Sequence, residues 1–328
     1  MPEDARIYVA GHTGLVGSAL VRRLRKDGHD RLITRSHQEL DLMDQRAVLE
    51  FFAAERPQFV FLAAAKVGGI RANSIYPADF IHANLAIQTN VIHAAYLANV
   101  ERLLFLGSSC IYPRACPQPI KEEYLLSGPL EPTNRAYAVA KIAGLEMCAA
   151  YNRQHGTSYL AVMPTNLYGP GDNFDLQNAH VLPALVRRMH EARAQDSREV
   201  VVWGSGTPRR EFLYSEDMAD ACVRLMGAPE PLFRRLIEGG DAIINIGSGV
   251  DITIREAAEI IAEVVGFRGE IVFDTNMPDG TPRKLLDISR LTTLGWRPQV
   301  SLSEGIACTY KWFLNNCANN RHTAARPG

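Results

Sequence analysis

Three evenly spaced glycines directly after a short apolar run constrain the fold more than any other feature of the chain. The run is residues 7–10, and Gly11, Gly14 and Gly17 follow it. Residues 18–26 then have the apolar spacing of a helix. A strand, a glycine turn and a helix in this order let the free N–H groups of the helix meet a pyrophosphate, so the pattern predicts a dinucleotide-binding turn. The alternative is a closely packed turn that binds no ligand.

Short apolar runs alternate with amphipathic segments through the first half of the chain. Strands are predicted at residues 7–10, 31–34, 59–63, 102–106 and 158–162, and helices at 18–26, 44–54, 80–98 and 134–151. The strands are apolar almost throughout, as in a parallel sheet that helices cover on both faces. The predicted fold class is therefore α/β, a Rossmann-type doubly wound parallel sheet with ligands at the carboxyl ends of its strands.

The regular alternation weakens after Pro164. Residues 164–177 are rich in proline, glycine and asparagine, and we interpret them as a functional loop. A helix at 182–192, a strand at 200–203, a helix at 254–265 and a strand at 271–273 follow. We expect a dinucleotide-binding lobe over residues 1–165, a return to that lobe near 214–247, and a smaller α/β substrate-binding lobe over most of 166–328.

Composition excludes several functional classes. The 328 residues carry a net charge of −1, so no overall field attracts nucleic acid or an anionic membrane surface. No apolar stretch approaches the ~20 residues of a membrane span, and the first six residues do not resemble a signal peptide. The six cysteines have neither CxxC nor zinc-like spacing, which favours free thiols in a cytoplasmic protein without a metal site. They are Cys110, Cys116, Cys148, Cys222, Cys308 and Cys317.

The residues after the second predicted strand indicate which dinucleotide binds. A carboxylate there would contact the adenosine ribose of NAD, whereas a cation would contact the 2′-phosphate of NADP. This chain has no acid at that position, and Arg35 and His37 can hold a phosphate with Ser36 as a further donor. The sequence therefore favours NADP. The alternative is that Arg35 is a solvated charge at the end of a strand.

A tyrosine and a lysine four residues apart lie on a predicted helix. Tyr137 and Lys141 share one helix face, and Ser108 and Ser109 end the strand at 102–106. A free phenol has a pKa near ~10, and a neighbouring ammonium lowers it. The pattern YxxxK is common by chance, but together with a glycine turn and a strand-end serine it indicates acid–base chemistry beside a dinucleotide.

With these residues the chain resembles the extended short-chain dehydrogenase/reductase family, and within it the GDP-L-fucose synthases. The segments that carry this resemblance are AAAKVGGI, GSSCIYP, LEPTN.AYA.AKIAG, VMPTNLYGP, VVWGSGTP.REF and PDGTPRKLLD. The resemblance covers nearly the whole chain, from residue 7 to about residue 314. The resemblance implies NADPH-dependent conversion of GDP-4-keto-6-deoxy-D-mannose to GDP-L-fucose, by epimerisation at carbons 3 and 5 and reduction at carbon 4.

The resemblance also implies a role for each catalytic residue. Ser108 orients the ketone, Tyr137 protonates the oxygen on carbon 4, and Lys141 tunes Tyr137 and holds the nicotinamide ribose. Cys110 is the base of the epimerisation and His180 is the acid on the opposite face of the sugar ring. A thiol, with an ordinary pKa of ~8.5, becomes a competent base beside positive charge. Without the resemblance, we would interpret Cys110 as a packed small side chain and His180 as a loop residue bonded to backbone.

Two binding sets follow from the same resemblance. The cofactor set is Gly11, Thr13, Gly14, Leu15, Val16, Gly17, Arg35, His37, Asp41, Leu42, Lys141, Pro164, Asn166, Leu167 and His180. The GDP-sugar set is Ser109, Arg188, Trp203, Arg210 and Asp279. Arginine binds a diphosphate through two parallel N–H groups, and an indole stacks on a base or a sugar. The alternative for the second set is surface arginines and a half-buried tryptophan, and Arg209 is interpreted in that way.

The chain departs from the family at two positions. Family members often carry basic residues at positions 13 and 37, where this chain has Thr13 and His37. Those replacements imply a weaker hold on the 2′-phosphate and a less strict preference for NADPH, for which Arg35 is the expected compensation.

Two functional alternatives stay open. One is a relative that only reduces or only epimerises another GDP-sugar, such as a keto-deoxy heptose, and the presence of both Cys110 and His180 argues against a reductase alone. The other is a non-catalytic sensor of nucleotide-sugar or NADP, which would not need both Tyr137 and Lys141. The resemblance also implies a homodimer that associates through the helices at 80–98 and 134–151.

Overall fold

Strands and helices alternate along the chain as the sequence predicts, around a parallel central sheet. The computed structural model describes residues 1–176, 179–238, 242–277 and 279–318, except for the side chains of residues 70 and 71. Gln177, Asn178 and Pro278, which belong to segments discussed above, lie outside the described residues. No helix in the described part of the chain is both long and apolar enough to cross a membrane.

The strands are β1 (Ile7–Ala10), β2 (Leu32–Ile33), β3 (Phe59–Leu62), β4 (Arg102–Leu106), β5 (Tyr159–Pro164), β6 (Asn166–Tyr168), β7 (Glu199–Trp203), β8 (Arg209–Tyr214), β9 (Ile243–Ile246), β10 (Asp251–Thr253), β11 (Glu270–Asp274) and β12 (Arg283–Lys284). The helices are α1 (Leu15–Lys26), α2 (Gln45–Glu55), α3 (Ile70–Ile75), α4 (Pro77–Leu97), α5 (Arg135–His155), α6 (Val181–Ala194), α7 (Ser215–Met226), α8 (Glu230–Ile237), α9 (Ile254–Val265), α10 (Ser289–Thr293) and α11 (Leu302–Phe313). Short 3₁₀ turns span Ser109–Ile111, Glu122–Tyr124 and Pro132–Asn134, and Leu314–Ala318 is a π-helical turn.

The central sheet has the strand order β2-β1-β3-β4-β5-β9, and all its pairs are parallel. Alternate residues of each strand face opposite sides. A row through Phe61 and Leu104 packs in the core that contains α1 and α7, and a row through Val60 and Leu103 packs in the core that contains α2, α4 and α5. Both faces are covered, which explains the apolar strands and confirms the predicted α/β class.

The strand order reverses at β1, because β2 lies on one side of it and β3 on the other. In such sheets the crevice beyond the carboxyl ends of the strands at the reversal point binds the ligand. Gly11 follows β1 and Gly107 follows β4, so the glycine turn and the GSSCIYP segment come to the same edge of the sheet. The fold therefore gathers the chemistry-bearing segments that the sequence keeps far apart.

A second group of elements begins with β6 and α6. Strands β10, β8 and β12 form one sheet, to which β6 adds by pairing with β8, and β11 pairs with β7. Helices α6, α9 and α11 share a third hydrophobic core. Strand β9 is an edge strand of the central sheet, and α7 packs in the same core as α1. The lobe boundary at 165/166 and the return near 214–247 stay predictions.

Strand β6 and the start of helix α1 are among the features that differ from the sequence-based expectation. Residues 164–177, interpreted as a loop, contain strand β6, which pairs in parallel with β8. Three residues are too few to show a strand period, and their partner lies about 45 residues further along, so the interpretation was wrong there. Helix α1 begins at Leu15, three residues earlier than predicted, because the first turn after Gly14 is already helical.

Candidate active site

The glycine turn brings backbone from three elements into close contact. Gly11 has φ +80°, and a Cβ atom there would lie 2.7 Å from the backbone nitrogen of Ala64, just after β3. A Cβ atom on Gly17 would lie 2.0 Å from the carbonyl oxygen of Gly11. Side chains at these two positions would push α1 and β3 away from the turn. The glycines are therefore a requirement of the packing.

The first turn of α1 suits an anion. Gly14 caps the helix without any side-chain hydrogen bond, and no acidic residue stands in the first turn. The N–H groups that begin at Leu15 and Val16 are therefore free of a side-chain acceptor, and the positive end of the helix dipole adds to them. Thr13 is exposed beside the turn. Glycines that admit close approach and uncapped N–H groups fit the pyrophosphate of a dinucleotide.

The predicted cation at the end of β2 is present, and it is already paired. The Arg35 guanidinium forms an ion pair with Glu55, donates to the Thr34 carbonyl at 2.8 Å and lies 5.5 Å from the centre of the Phe51 ring. His37 is exposed, with Nδ1 3.8 Å from Asp41. Glu55 is therefore an ion-pair partner of Arg35 that the sequence analysis missed. A 2′-phosphate that approached Arg35 would have to share or replace the carboxylate of Glu55.

The segment after β2 is held by a buried amide. Asn90, on α4, donates to the carbonyl oxygens of Leu42 and Met43 at 3.0 and 3.1 Å. The Asp41 carboxylate accepts the N–H of Met43 at 2.9 Å. These bonds fix the loop that carries two predicted cofactor contacts, Asp41 and Leu42, although the sequence offered no reason to select Asn90.

Lys141 is buried next to Tyr137, as their spacing predicts. Its ammonium donates to the Leu106 carbonyl at 2.7 Å, 4.7 Å from the centre of the Phe105 ring and 5.9 Å from that of Tyr137. Only 3% of Lys141 is exposed, and burial lowers its pKa to about 7. The lysine therefore stands at the end of β4, where a nicotinamide ribose is expected.

The pKa of Tyr137 differs from the sequence-based expectation, which was a lowered value. Burial raises the pKa of Tyr137, the nearby Cys110 raises it further, and a hydrogen bond with Ser108 opposes both. The expected lowering by Lys141 does not occur, because burial penalises the phenolate and also lowers the pKa of Lys141 itself. The consequence is chemically useful, since a phenol that keeps its proton at neutral pH is ready to donate it.

The Cys110 sulfur contacts two polar groups. Cys110 lies in the 3₁₀ turn Ser109–Ile111. Its backbone N–H donates to the Ser108 hydroxyl oxygen at 3.3 Å. The Asn134 amide donates to the sulfur at 3.2 Å, and the Lys284 ammonium lies 3.9 Å from it. Asn134 and Lys284 belong to the segments LEPTN and PDGTPRKLLD, so the resemblance contained them without assigning them a role.

His180 is the cap residue at the start of α6 and has access to solvent. The surrounding protein nevertheless encloses enough of the ring to lower its pKa, and the charge of Lys284 lowers it further. Lys284 is thus close enough to act on both Cys110 and His180. A neutral imidazole that solvent reaches can take up a proton from water and pass it on.

The four predicted GDP-sugar residues outside the GSSCIYP segment lie together. The Arg188 guanidinium lies 5.3 Å from the centre of the Trp203 ring, which is 59% exposed. Burial lowers the pKa of Arg210, and the Asp279 carboxylate opposes this effect. Asp279 also accepts from the backbone N–H of Ser205 at 2.9 Å and from its hydroxyl at 2.7 Å. The result is an exposed indole beside Arg188 and a second arginine, Arg210, beside Asp279, which suits a base and a diphosphate.

The remaining predicted residues lie at the end of β5, in β6 and next to Cys110. Pro164 ends β5, Leu167 packs against the core that contains α1, and the Asn166 amide donates to the Glu211 carbonyl at 2.8 Å. Ser109 is buried beside Cys110. The Arg209 side chain, interpreted as a surface charge, is 41% exposed and donates to Asp251 at 3.1 Å. No cluster of metal-ligating side chains occurs within the described part of the chain.

The comparisons with known proteins agree with this geometry. The model of the "NAD dependent epimerase/dehydratase family" matches residues 7–247. GDP-L-fucose synthase of Escherichia coli (strain K12) is 57% identical over 95% of this chain and 97% of its own. GDP-L-fucose synthase 1 of Arabidopsis thaliana is 57% identical over 97% and 95%. A solved GDP-mannoheptose C4 reductase from Campylobacter jejuni, with NADP bound, is 41% identical with a TM-score of 0.88, over 96% of this chain and 99% of that one.

Proposed function

The chain belongs to the NAD dependent epimerase/dehydratase family, and from its similarity to GDP-L-fucose synthases we propose that it converts GDP-4-keto-6-deoxy-D-mannose to GDP-L-fucose with NADPH. The observation that carries the proposal is the arrangement around Cys110. A thiol in contact with Asn134 and Lys284, beside the buried Tyr137, combines a base for proton abstraction with an acid for ketone reduction.

The epimerisation uses the acidity of carbons next to a ketone. The Cys110 sulfur takes the proton from carbon 3 or carbon 5, and the electrons of the broken C–H bond move into an enolate on the carbon 4 oxygen. His180 then returns a proton to the same carbon from the other face, so the C–H bond is remade with inverted configuration. Ser108 and Tyr137 are the hydroxyl donors beside Cys110, and they stabilise the charge on the oxygen.

The reduction uses the proton that burial keeps on Tyr137. NADPH, when bound, supplies the two electrons and the hydrogen that reduce carbon 4. Tyr137 donates its phenolic proton to the oxygen, and Ser108, its hydrogen-bond partner, orients the ketone. Lys141 holds the nicotinamide ribose at the end of β4 and stabilises the phenolate left on Tyr137, because its ammonium stays within reach of that ring.

A reductase that acts on another GDP-sugar is the second candidate, since the C4 reductase from Campylobacter jejuni is also similar. Incubation with GDP-4-keto-6-deoxy-D-mannose, with and without NADPH, separates the two. The proposed function predicts solvent exchange at carbons 3 and 5 without NADPH and a GDP-fucose product with it. A reductase alone gives no exchange, and a non-catalytic sensor gives neither result.

Replacing Arg35 by glutamate should shift the cofactor preference toward NADH. The substitution puts a negative charge where the 2′-phosphate binds, and two like charges a few ångströms apart cost on the order of 1 kcal/mol or more near a surface. We expect the KM for NADPH to rise about tenfold while the KM for NADH changes little, measured by steady-state reduction.

The matched control is Glu55→Gln, which removes the carboxylate paired with Arg35 and leaves the arginine in place. It should keep the preference for NADPH or strengthen it. An unchanged NADPH/NADH ratio in Arg35→Glu would place the 2′-phosphate elsewhere, with Ser36 and His37 as the nearest remaining donors.

We propose that the protein is a cytoplasmic homodimer. Helices α4 and α5 pack side by side, and Leu97 and Val139 on them are 55% and 39% exposed. Two copies that join these helices would cover the apolar side chains. All six cysteines are free, which suits a reducing compartment. Sedimentation equilibrium should give the mass of two chains, and cell fractionation should recover the protein with soluble cytoplasmic markers.

A further inference from the structure

Lys284 stands between the two groups proposed for epimerisation. Its ammonium lies 3.9 Å from the Cys110 sulfur, and its charge acts on His180. Lys284 is half-buried at the end of the two-residue strand β12, whose parallel partner is β8. Neither the sequence motifs nor the family resemblance gave this lysine a function.

The backbone on both sides of this contact is held together directly. Ile120 lies in the segment that continues from Cys110, and its N–H donates to the Leu285 carbonyl at 2.7 Å. The Ile120 carbonyl accepts from Asp287 at 2.8 Å, and the Gln118 side chain accepts from Leu285 at 2.8 Å. The residues after Lys284 are thus bonded to the segment that follows Cys110, about 165 residues away in sequence.

Two buried side chains hold the same segment from other directions. The Glu211 carboxylate, fully buried, accepts from the Leu286 N–H at 2.9 Å and from the Gly249 N–H at 2.7 Å. The Asn245 amide donates to the Asp287 carbonyl at 3.1 Å and accepts from the Tyr112 hydroxyl at 2.6 Å. Because Tyr112 is two residues from Cys110, the lysine and the thiol belong to one hydrogen-bonded framework. Their separation is therefore a fixed property of the fold.

The charged and titratable groups around Cys110 come from each element packed against it. Tyr137 faces it from α5 as a neutral phenol, and Lys284 faces it from β12. Cys116, further along the same loop, and His180, at the start of α6, also feel the charge of Lys284. Among the described residues, Lys284 is the cation in hydrogen-bond contact with the Cys110 sulfur.

We propose that Lys284 is a positioning residue for epimerisation: its ammonium balances the negative charge on the Cys110 sulfur once the thiol has lost its proton. The inference rests on the proposed function, in which Cys110 is the base. A thiolate is the reactive form of cysteine, and an adjacent cation raises its share at neutral pH. The same charge makes a protonated His180 a stronger acid, which favours delivery of its proton to the enolate.

The test is alkylation of Cys110 by iodoacetamide, because only the thiolate displaces iodide, and the measurement needs no substrate or NADPH. Peptide mass spectrometry separates Cys110 from the other five thiols. Lys284→Met should slow alkylation at pH 7 about tenfold, because the sulfur loses its adjacent cation, and the rate is recorded as a profile against pH. Lys284→Arg should restore most of the rate, since it keeps the charge.

Lys121→Met is the matched control. Lys121 is an exposed lysine of the segment that follows Cys110, with its ammonium 3.7 Å from Glu123, so its loss should leave the alkylation profile unchanged. Lys284→Gln is a second variant, which removes the charge and keeps a donor, and it should behave as Lys284→Met does.

A profile of Lys284→Met and Lys284→Gln that overlies that of Lys121→Met would overturn the proposal. Because the assay has no substrate, that result would leave the proposed conversion intact. Failure to form GDP-fucose would leave the alkylation result standing, so the two ideas fail separately.

Discussion

Replacement of Cys110 by serine should stop deuterium exchange at carbons 3 and 5 of the sugar while NADPH binding stays unchanged. A serine hydroxyl holds its proton far more tightly than a thiol, so the Lys284 ammonium cannot make it a base at neutral pH. Removal of a general base typically costs 10²–10⁴-fold, and we expect a loss of about that size in the exchange rate. The measurement is NMR of the keto sugar in deuterated water.

The matched variant is His180→Asn, which should behave differently. Abstraction by Cys110 can continue, so exchange persists, whereas completed inversion fails because the opposite face has no proton donor. In the unchanged protein, the pKa of His180 is lowered, so inversion should decline as the pH rises through that value and the imidazolium disappears. Normal deuterium incorporation at both carbons in Cys110→Ser would return this thiol to the role of a packing residue.

Replacement of Tyr137 by phenylalanine should have the opposite effect to Cys110→Ser: reduction should be lost, and exchange at carbons 3 and 5 should be kept. The variant keeps the ring that packs edge-on against Phe80, at 6.4 Å between centroids, and loses only the hydroxyl. Reduction at carbon 4 should therefore fall by about 10²–10⁴-fold, because the developing oxyanion has no acid. Exchange at carbons 3 and 5 depends on Cys110 and should continue at a measurable rate.

Lys141→Ala is the comparison for Tyr137→Phe. It removes a buried ammonium that donates to the Leu106 carbonyl, so both NADPH binding and reduction should weaken. Fluorescence titration with NADPH distinguishes the two variants, since Tyr137→Phe should bind the cofactor nearly normally. If Tyr137→Phe retained near-normal turnover in reduction, the phenol would not be the proton donor.

Much of the fold follows from local pattern in the sequence. Strands β1 and β4 and helix α9 have the predicted limits, because apolar runs and helical periods are complete within each. Strands β6 and β12 were missed because two or three residues are too few to show an alternating pattern. Both strands pair with β8, which lies far from them in the sequence. Short strands of this kind become visible only once the larger elements are packed.

The candidate site also has a part that the sequence predicts and a part that it does not. The spacing of Tyr137 and Lys141 and that of the glycines are local, so the sequence could predict which side chains meet. The contacts of Lys284 and Asn134 with the Cys110 sulfur depend on segments far apart in the chain. The pKa of Tyr137 could not be predicted either, because the degree of burial decides whether desolvation or a neighbouring charge prevails.

The most direct test of the central claim is product analysis of GDP-4-keto-6-deoxy-D-mannose with NADPH in deuterated water. The proposed function predicts GDP-L-fucose that carries solvent deuterium at carbons 3 and 5, with none at carbon 4 because that hydrogen comes from NADPH. A 6-deoxy sugar of the starting configuration without deuterium at carbons 3 and 5 would contradict it and identify a reductase alone.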